Sequence, residues 1–281
     1  MAPGTQALLF IHLILADGTA SVPKKLSHRV TVNLAGQEIS QSGGDTTVNM
    51  RSALVIGPPL RGVRYISADS CCDSSRHVRA ALPVNGRVRV AQRYAVDWEQ
   101  LDGTYRIYSG RKADVTSYKI YGADVLAVAN ATVVSAIDNL PNQVPGKFPV
   151  RIPLDEADGN SIILDLGDGN YAMYAHLKPK SVRVHAGDTV TRGQVIGLVG
   201  NSGNTIAPHL HFQIMSRPLS LAANGLPYAI DAFQITGRSP GTAAFDQAEA
   251  HGTPLAVNAV SPPEHVSNAL PLDQLIISFA P

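Results

Sequence analysis

Charge is scarce in this sequence. Only 16% of its residues are Asp, Glu, Lys or Arg, against about 25% in an average soluble domain. The formal net charge is +1, so the composition gives no footing to nucleic-acid binding or to an electrostatic membrane patch. Cysteine is nearly absent. The two present, Cys71 and Cys72, are adjacent, which excludes a long-range disulfide framework. Such a pair can close a strained ring, stay reduced or bind metal, and it does not decide the compartment. No stretch reaches the ~20 consecutive apolar residues of a membrane span. The run Ala7–Ala16 imitates a signal-peptide core, but no basic residue precedes it, as a signal peptide would require. Its alternation of Leu8, Phe10, His12 and Ile14 against Leu9, Ile11, Leu13 and Leu15 reads as a buried strand, and any export signal is expected to have been removed before this numbering begins.

What is present points to β structure. The 281 residues suggest about two domains on the usual length prior, and 44% hydrophobic residues supply a real core. With 24 glycines and 19 prolines among many Val, Ile and Thr, the chain reads as turn-rich and mainly β. Candidate strands at Ala7–Leu15, His28–Leu34 and Asn49–Gly57 suggest a small N-terminal β-sandwich over residues 1–70, in which His12 and His28 are structural. A second domain is expected over 71–238. Residues 239–281 are expected to be a linker, loose from Gly237 to Glu264. They end in a strand at Leu275–Phe279 that can return to the N-terminal domain.

The chemistry concentrates between Tyr174 and Met215. His209-Leu210-His211 on a strand puts both imidazoles on one face and turns Leu210 and Phe212 into a core, because side chains alternate with period two. The ring nitrogens of such a pair can share one site, one binding a metal and the other meeting its water. Pro208 suits a strand start, and Asn201 to Asn204 is turn chemistry with Gly203 free to take positive φ. Upstream, Ser161–Leu164 and Tyr171–Tyr174 flank Gly167-Asp168-Gly169-Asn170 as a hairpin, and His176 follows directly. Val182–Val184, Thr189-Val190 and Gln194–Val199 read as further short strands. Leu101 to Tyr121 reads as a polar surface loop, and Asn139 to Glu156 as a rim loop of the kind that shapes a groove.

The ordered set Gly159–Asp165, Tyr174-Ala175-His176-Leu177, Val184–Gly197, Gly200-Asn201-Ser202-Gly203 and Pro208-His209-Leu210-His211-Phe212 resembles the lysostaphin-type zinc endopeptidases, roughly over residues 85 to 216. The resemblance implies an antiparallel β peptidase domain following the N-terminal one. It also implies a catalytic Zn2+, peptidoglycan peptides as substrate and an extracytoplasmic location, periplasmic or secreted. It assigns metal ligation to Asp97 and His211 and proton handling to His176 and His209.

The family's His-x-x-x-Asp motif is broken here. Asp97 fits the aspartate position, but Arg93 stands where the first histidine ligand is expected. A cation ~4 Å from the ion, at an effective dielectric near 20, costs on the order of 4 kcal/mol per unit charge on the metal, or roughly three decades of affinity. Arg93 is therefore no substitute ligand. On a regular strand it shares a face with Asp97, so it can pair with Asp97 or bind a substrate carboxylate. His77 is the proposed replacement ligand, with Cys71 and Cys72 as alternatives; otherwise His77 is a polar loop residue beside Arg76 and Arg79. The second functional reading is a degenerate, non-catalytic domain that binds wall peptides or regulates a hydrolase. Ala186 to Gln194 also resembles lipoyl- and biotinyl-carrier domains, but Lys178 and Lys180 flank Pro179 and do not fit a carrier's hairpin tip.

Overall fold

The computed structural model describes residues 9–11, 13–15, 20–72 and 76–279, and the chain divides into two units, Met1–Ala53 and Leu54–Pro281. The strands described in the first unit are β1 (Lys25–Leu34) and β2 (Gln37–Thr47), paired antiparallel. A two-residue turn joins them, with Ala35 and Gly36 both at positive φ, the geometry that matches strand twist. Across the hairpin the Nδ1 of His28 bonds the Gly44 carbonyl. No sandwich forms among the described residues here, because the hairpin has no second layer to cover it: β2 is exposed along its whole length. Of the strand expected at Ala7–Leu15, residues 9–11 and 13–15 are exposed and lie outside any strand. Ala7, Leu8 and His12 fall outside the described residues.

The second unit begins at Leu54 rather than at the expected residue 71, with β3 (Leu54–Ile56) and β4 (Gly62–Ala68). It continues through β5 (Leu82–Val84), β6 (Arg87–Arg89), β7 (Val96–Gln100), β8 (Asp124–Leu126), β9 (Ala131–Ile137), β10 (Asn160–Asp165) and β11 (Tyr171–Leu177). Next come β12 (Thr189–Val190), β13 (Val195–Leu198), β14 (Leu210–Met215) and β15 (Tyr228–Arg238). Helix α1 (Thr242–His251), β16 (Asn258–Ala269) and β17 (Leu275–Phe279) complete it. Among the described residues one sheet of 11 strands runs β12-β9-β10-β11-β14-β7-β4-β17-β15-β16, with β3 parallel to β15. β5 pairs with β6, and β8 with β13, as separate ribbons.

The middle of this sheet is buried on both faces. β10, β11 and β14 have no exposed residue. Leu210, Phe212 and Ile214 enter the main core with Trp98, Tyr174 and Tyr228, as the period-two pattern predicts. Phe212 meets Tyr174 and Tyr228 edge-on, with ring centroids 5.1 and 5.5 Å apart, a favoured aromatic arrangement.

The final strand, β17, pairs with β4 within the second unit. The expected linker is ordered structure. β15 runs on to Arg238, and α1 follows, closed by Gly252 in the left-handed region. β16 carries Pro262 and Pro263, tolerated because an edge strand does not need every N–H. The 101–121 segment is irregular but not superficial. Leu101, Ile107, Tyr108 and Tyr118 join Ile66, Ile276, Phe245 and Ala248 in a second core. Two prolines, a run of alanines and a polar loop hide these roles, because burial comes from partners distant in sequence.

Candidate metal centre

Three adjacent antiparallel registers build the site. Ala175 lies opposite His211, His211 opposite Asp97, and Asp97 opposite Ala68. Directly opposed residues on neighbouring strands stand close together on one face, so the ladder brings Asp97 and His211 into contact. The Nδ1 of His211 lies 2.8 Å from Asp97 Oδ1. The third member comes from outside the sheet. His77 follows β4 in the turn at residues 76–79, and its Nε2 lies 3.2 Å from Asp97 Oδ2. Single ligand atoms of His77, Asp97 and His211 all fall within 4.8 Å of one another.

Hydrogen bonds on the far side of each ring select the tautomer. His77 Nδ1 donates to the Asp69 carbonyl at 2.7 Å, so Nε2, toward Asp97, is the nitrogen a metal would take once its proton is displaced. His211 is turned the other way: Nε2 faces Gln213 Oε1 at 3.0 Å, so Nδ1, hydrogen-bonded to Asp97 here, is the nitrogen a metal would take. Such outer bonds orient metal-ligating histidines and raise their basicity. Two imidazoles and a carboxylate are also a donor set found in catalytic zinc sites. The residues present therefore fit a zinc ion.

Two more histidines flank the cluster. His209 Nε2 lies 3.6 Å from Asp97 Oδ1, and its Nδ1 faces the Ala207 carbonyl at 2.9 Å. His176 closes β11 at a φ of 62°; its Nδ1 donates to the Ser202 carbonyl at 2.8 Å, and its backbone N–H to the Asp158 carbonyl. The His176 ring sits 4.7 Å from that of His209 and 5.9 Å from that of His211, centroid to centroid. Ser202 is placed by a close backbone approach. A Cβ on Gly203, itself at φ +82°, would sit 2.4 Å from the Gly159 nitrogen, so glycine is required where the 201–204 turn crosses the start of β10.

The electrostatics follow from burial and mutual proximity. Burial works against a charged Asp97, but His77, His209 and His211 together hold its carboxyl well below the usual carboxylate range. Burial also opposes a charged His77, yet the Asp97 carboxylate outweighs it and the imidazole is pushed up to about 9. Burial and the neighbouring His209 and His211 hold His176 well below its ordinary value, as a neutral base. His176 and His211 open onto a cavity of about 200 Å³ that Gln92, Leu154, Asp158, Gln213 and Ser220 also line.

The structure thus gathers all five residues singled out from the sequence, His77, Asp97, His176, His209 and His211. It does not bring in Arg93. Residues 91–94 form a turn and β7 starts only at Val96, so the period-two inference fails there. Arg93 is exposed and its guanidinium lies 5.4 Å from the Tyr94 ring centroid. Cys71 and Cys72 are bonded to each other and lie outside the cluster. Sequence reasoning missed Asp69, Asp158, Ser202 and Gln213. The one available signal was Gln213, two residues beyond His211 and hence on the same face.

A mainly β fold thus carries a His-Asp-His cluster able to hold a metal ion, beside two further histidines. Residues 115–223 match the family described as Peptidase family M23. The chain is 36% identical over 201 residues to the peptidoglycan DD-endopeptidase ShyA of Vibrio cholerae serotype O1, covering 66% of this chain and 44% of that protein. It is 46% identical over 63 residues to lysostaphin of Staphylococcus simulans, covering 22% of this chain and 12% of that protein. The structure of the catalytic domain of that lysostaphin aligns over 58% of this chain and 88% of its own length, with 23% identity and a TM-score of 0.33. The chain spans less than half the length of the curated relatives named here.

Proposed function

We propose that the protein is a zinc-dependent endopeptidase that hydrolyses peptide bonds of bacterial cell-wall peptidoglycan. The observation that carries this reading is the convergence of His77, Asp97 and His211 on one point, with His176 and His209 turned toward it. The names of the relatives, a peptidoglycan DD-endopeptidase and a lysostaphin, support the substrate class and with it an extracytoplasmic place of action. Among the described residues no helix is long and apolar enough to cross a membrane.

His77, Asp97 and His211 would hold the ion. When bound, zinc supplies Lewis acidity and a nucleophile from water near neutral pH. The remaining steps belong to the chain. His209, with Nδ1 tied to a backbone carbonyl, presents Nε2 to the site and accepts a proton there. His176, kept neutral by its burial and tied to Ser202, presents its own Nε2 to the carbonyl oxygen or the leaving amine. Asp97 keeps its negative charge throughout. The cavity walls at Leu154 and Gln92 limit water access and position the peptide.

The non-catalytic reading drew its strength from Arg93, and the exposed position of that side chain removes the electrostatic objection to a bound ion. The test is elemental analysis of purified wild type, His77→Ala and Asp97→Ala without added zinc, followed by peptidoglycan digestion. About one zinc per wild-type chain, lost in both variants together with digestion, is the expected result. Folded wild type that binds no zinc and releases no peptide would overturn the reading.

A further inference from the structure

A second cavity, of about 310 Å³, lies beside the catalytic one. The β5–β6 ribbon borders both. Val84 is paired with Arg87 and Leu82 with Arg89, and directly opposed residues project from the same face of an antiparallel pair. Val84, Arg87 and Arg89 line the second cavity, while Leu82 lines the catalytic one. The short turn at Ser220–Ala222 borders both in the same way. Ala222 faces the second cavity, and Ser220 and Leu221 face the first. The two cavities are therefore bordered by neighbouring residues of the same two elements.

The chemistry of the second cavity is one-sided. Arg87, Arg89 and Arg217 line it, and no carboxylate does. None of the three guanidinium groups has an ion-pair or side-chain hydrogen-bond partner among the described residues. Three like charges around one hollow repel each other, and a bound anion relieves that repulsion. Planar guanidinium forks match a carboxylate bidentately.

We infer that this cavity is an anion subsite that takes a free carboxylate on the peptide being cut, so that the enzyme distinguishes acidic from amidated wall peptides. This rests on the peptidase reading above. A carboxylate is favoured over a separate phosphate polymer because the same two elements border this cavity and the catalytic one.

The experiment uses the full chain, loaded with zinc, as wild type, as Arg217→Gln and as the triple Arg87→Gln, Arg89→Gln, Arg217→Gln variant. The binding probe is a short uncross-linked wall peptide with free carboxylates or with the same groups amidated. The kinetic probe is the corresponding pair of cross-linked peptides. Charge-assisted bonds to partly exposed guanidinium groups predict roughly tenfold tighter binding and faster kcat/KM for the free acid in wild type. That preference should shrink in Arg217→Gln and vanish in the triple variant, with cleavage of the amidated peptide and the melting temperature unchanged. Equal handling of both peptides by wild type, or a preference that survives the triple substitution, overturns the subsite. So does loss of binding confined to a phosphate-bearing wall polymer. Preferential binding of the free acid without hydrolysis of either cross-linked peptide keeps the subsite and overturns the peptidase reading instead.

Discussion

Remove the metal, and His77 should carry a proton that the ion must displace. Its Nε2 lies 3.2 Å from Asp97 Oδ2 inside the protein, and its pKa is raised to about 9. At pH 7.5 the metal-free imidazole is then almost wholly protonated, whereas a zinc ligand must be neutral. The gap between pH 7.5 and about 9 weakens apparent zinc affinity roughly 30-fold, or about 2 kcal/mol. Between pH 6.5 and 9 the logarithm of the affinity should rise by about one per pH unit from this group alone. Stability moves the other way. A histidine whose folded pKa exceeds its unfolded value stabilises most below the unfolded value, and that contribution disappears as pH rises through the folded one. The metal-free protein should therefore lose about 3 kcal/mol from this contact between pH 6 and pH 10. Two assays read the effect. Nitrogen-detected NMR of the chelator-treated protein should find His77 titrating near 9. Calorimetry in buffers of different ionisation enthalpy should find at least one proton released per zinc at pH 7.5. Asp97→Asn removes the largest of the influences that raise the pKa, so His77 should then titrate lower, with burial opposing its charge and Asp69 alone still favouring it. A wild-type His77 that titrates at or below 6.5, or zinc uptake that releases no proton, would refute the reasoning.

Further expectations follow from other contacts. His209→Ala should keep its zinc and lose about 10²- to 10⁴-fold in turnover, because His209 is not one of the three converging donors; elemental analysis beside a digestion assay separates the two effects. Arg93→Ala should leave zinc content unchanged, since the side chain is exposed beside Tyr94. Gly203→Ala places a Cβ 2.4 Å from the Gly159 nitrogen at φ +82° and should cost about 1–3 kcal/mol, seen as a lower melting temperature together with a displaced His176. Glu249 of α1 is raised to about 7, first by burial and then by Asp246 and Asp69 against the opposing pull of Lys112 and Arg76. A raised carboxyl favours the fold at low pH and opposes it once it must ionise. Glu249→Gln should therefore raise the melting temperature at pH 8, by the equivalent of about 3 kcal/mol, and not at pH 4.

Local rules made part of this protein legible in its sequence. The period of two along His209–Phe212 separates imidazoles from core side chains without knowledge of any neighbour, and β14 obeys it. The Gly167–Asn170 turn and its flanking strands are equally local, and they form β10 and β11 as read. The rule failed at Arg93 because the four residues from 91 are a turn, where alternation has no meaning. Only the tertiary structure could decide the rest, since those features rest on partners far apart in the chain. β17 closes on β4, more than 200 positions away, and a loop and an alanine-rich helix become core by covering the other face of that pair. His77 is an unremarkable loop residue until the Asp69 carbonyl turns its ring and Asp97, twenty positions on, receives it. Sequence determines which faces are apolar and which turns are tight, because those depend on adjacent residues. Which donors meet at one point depends on strand register, and register is fixed only when the whole sheet assembles.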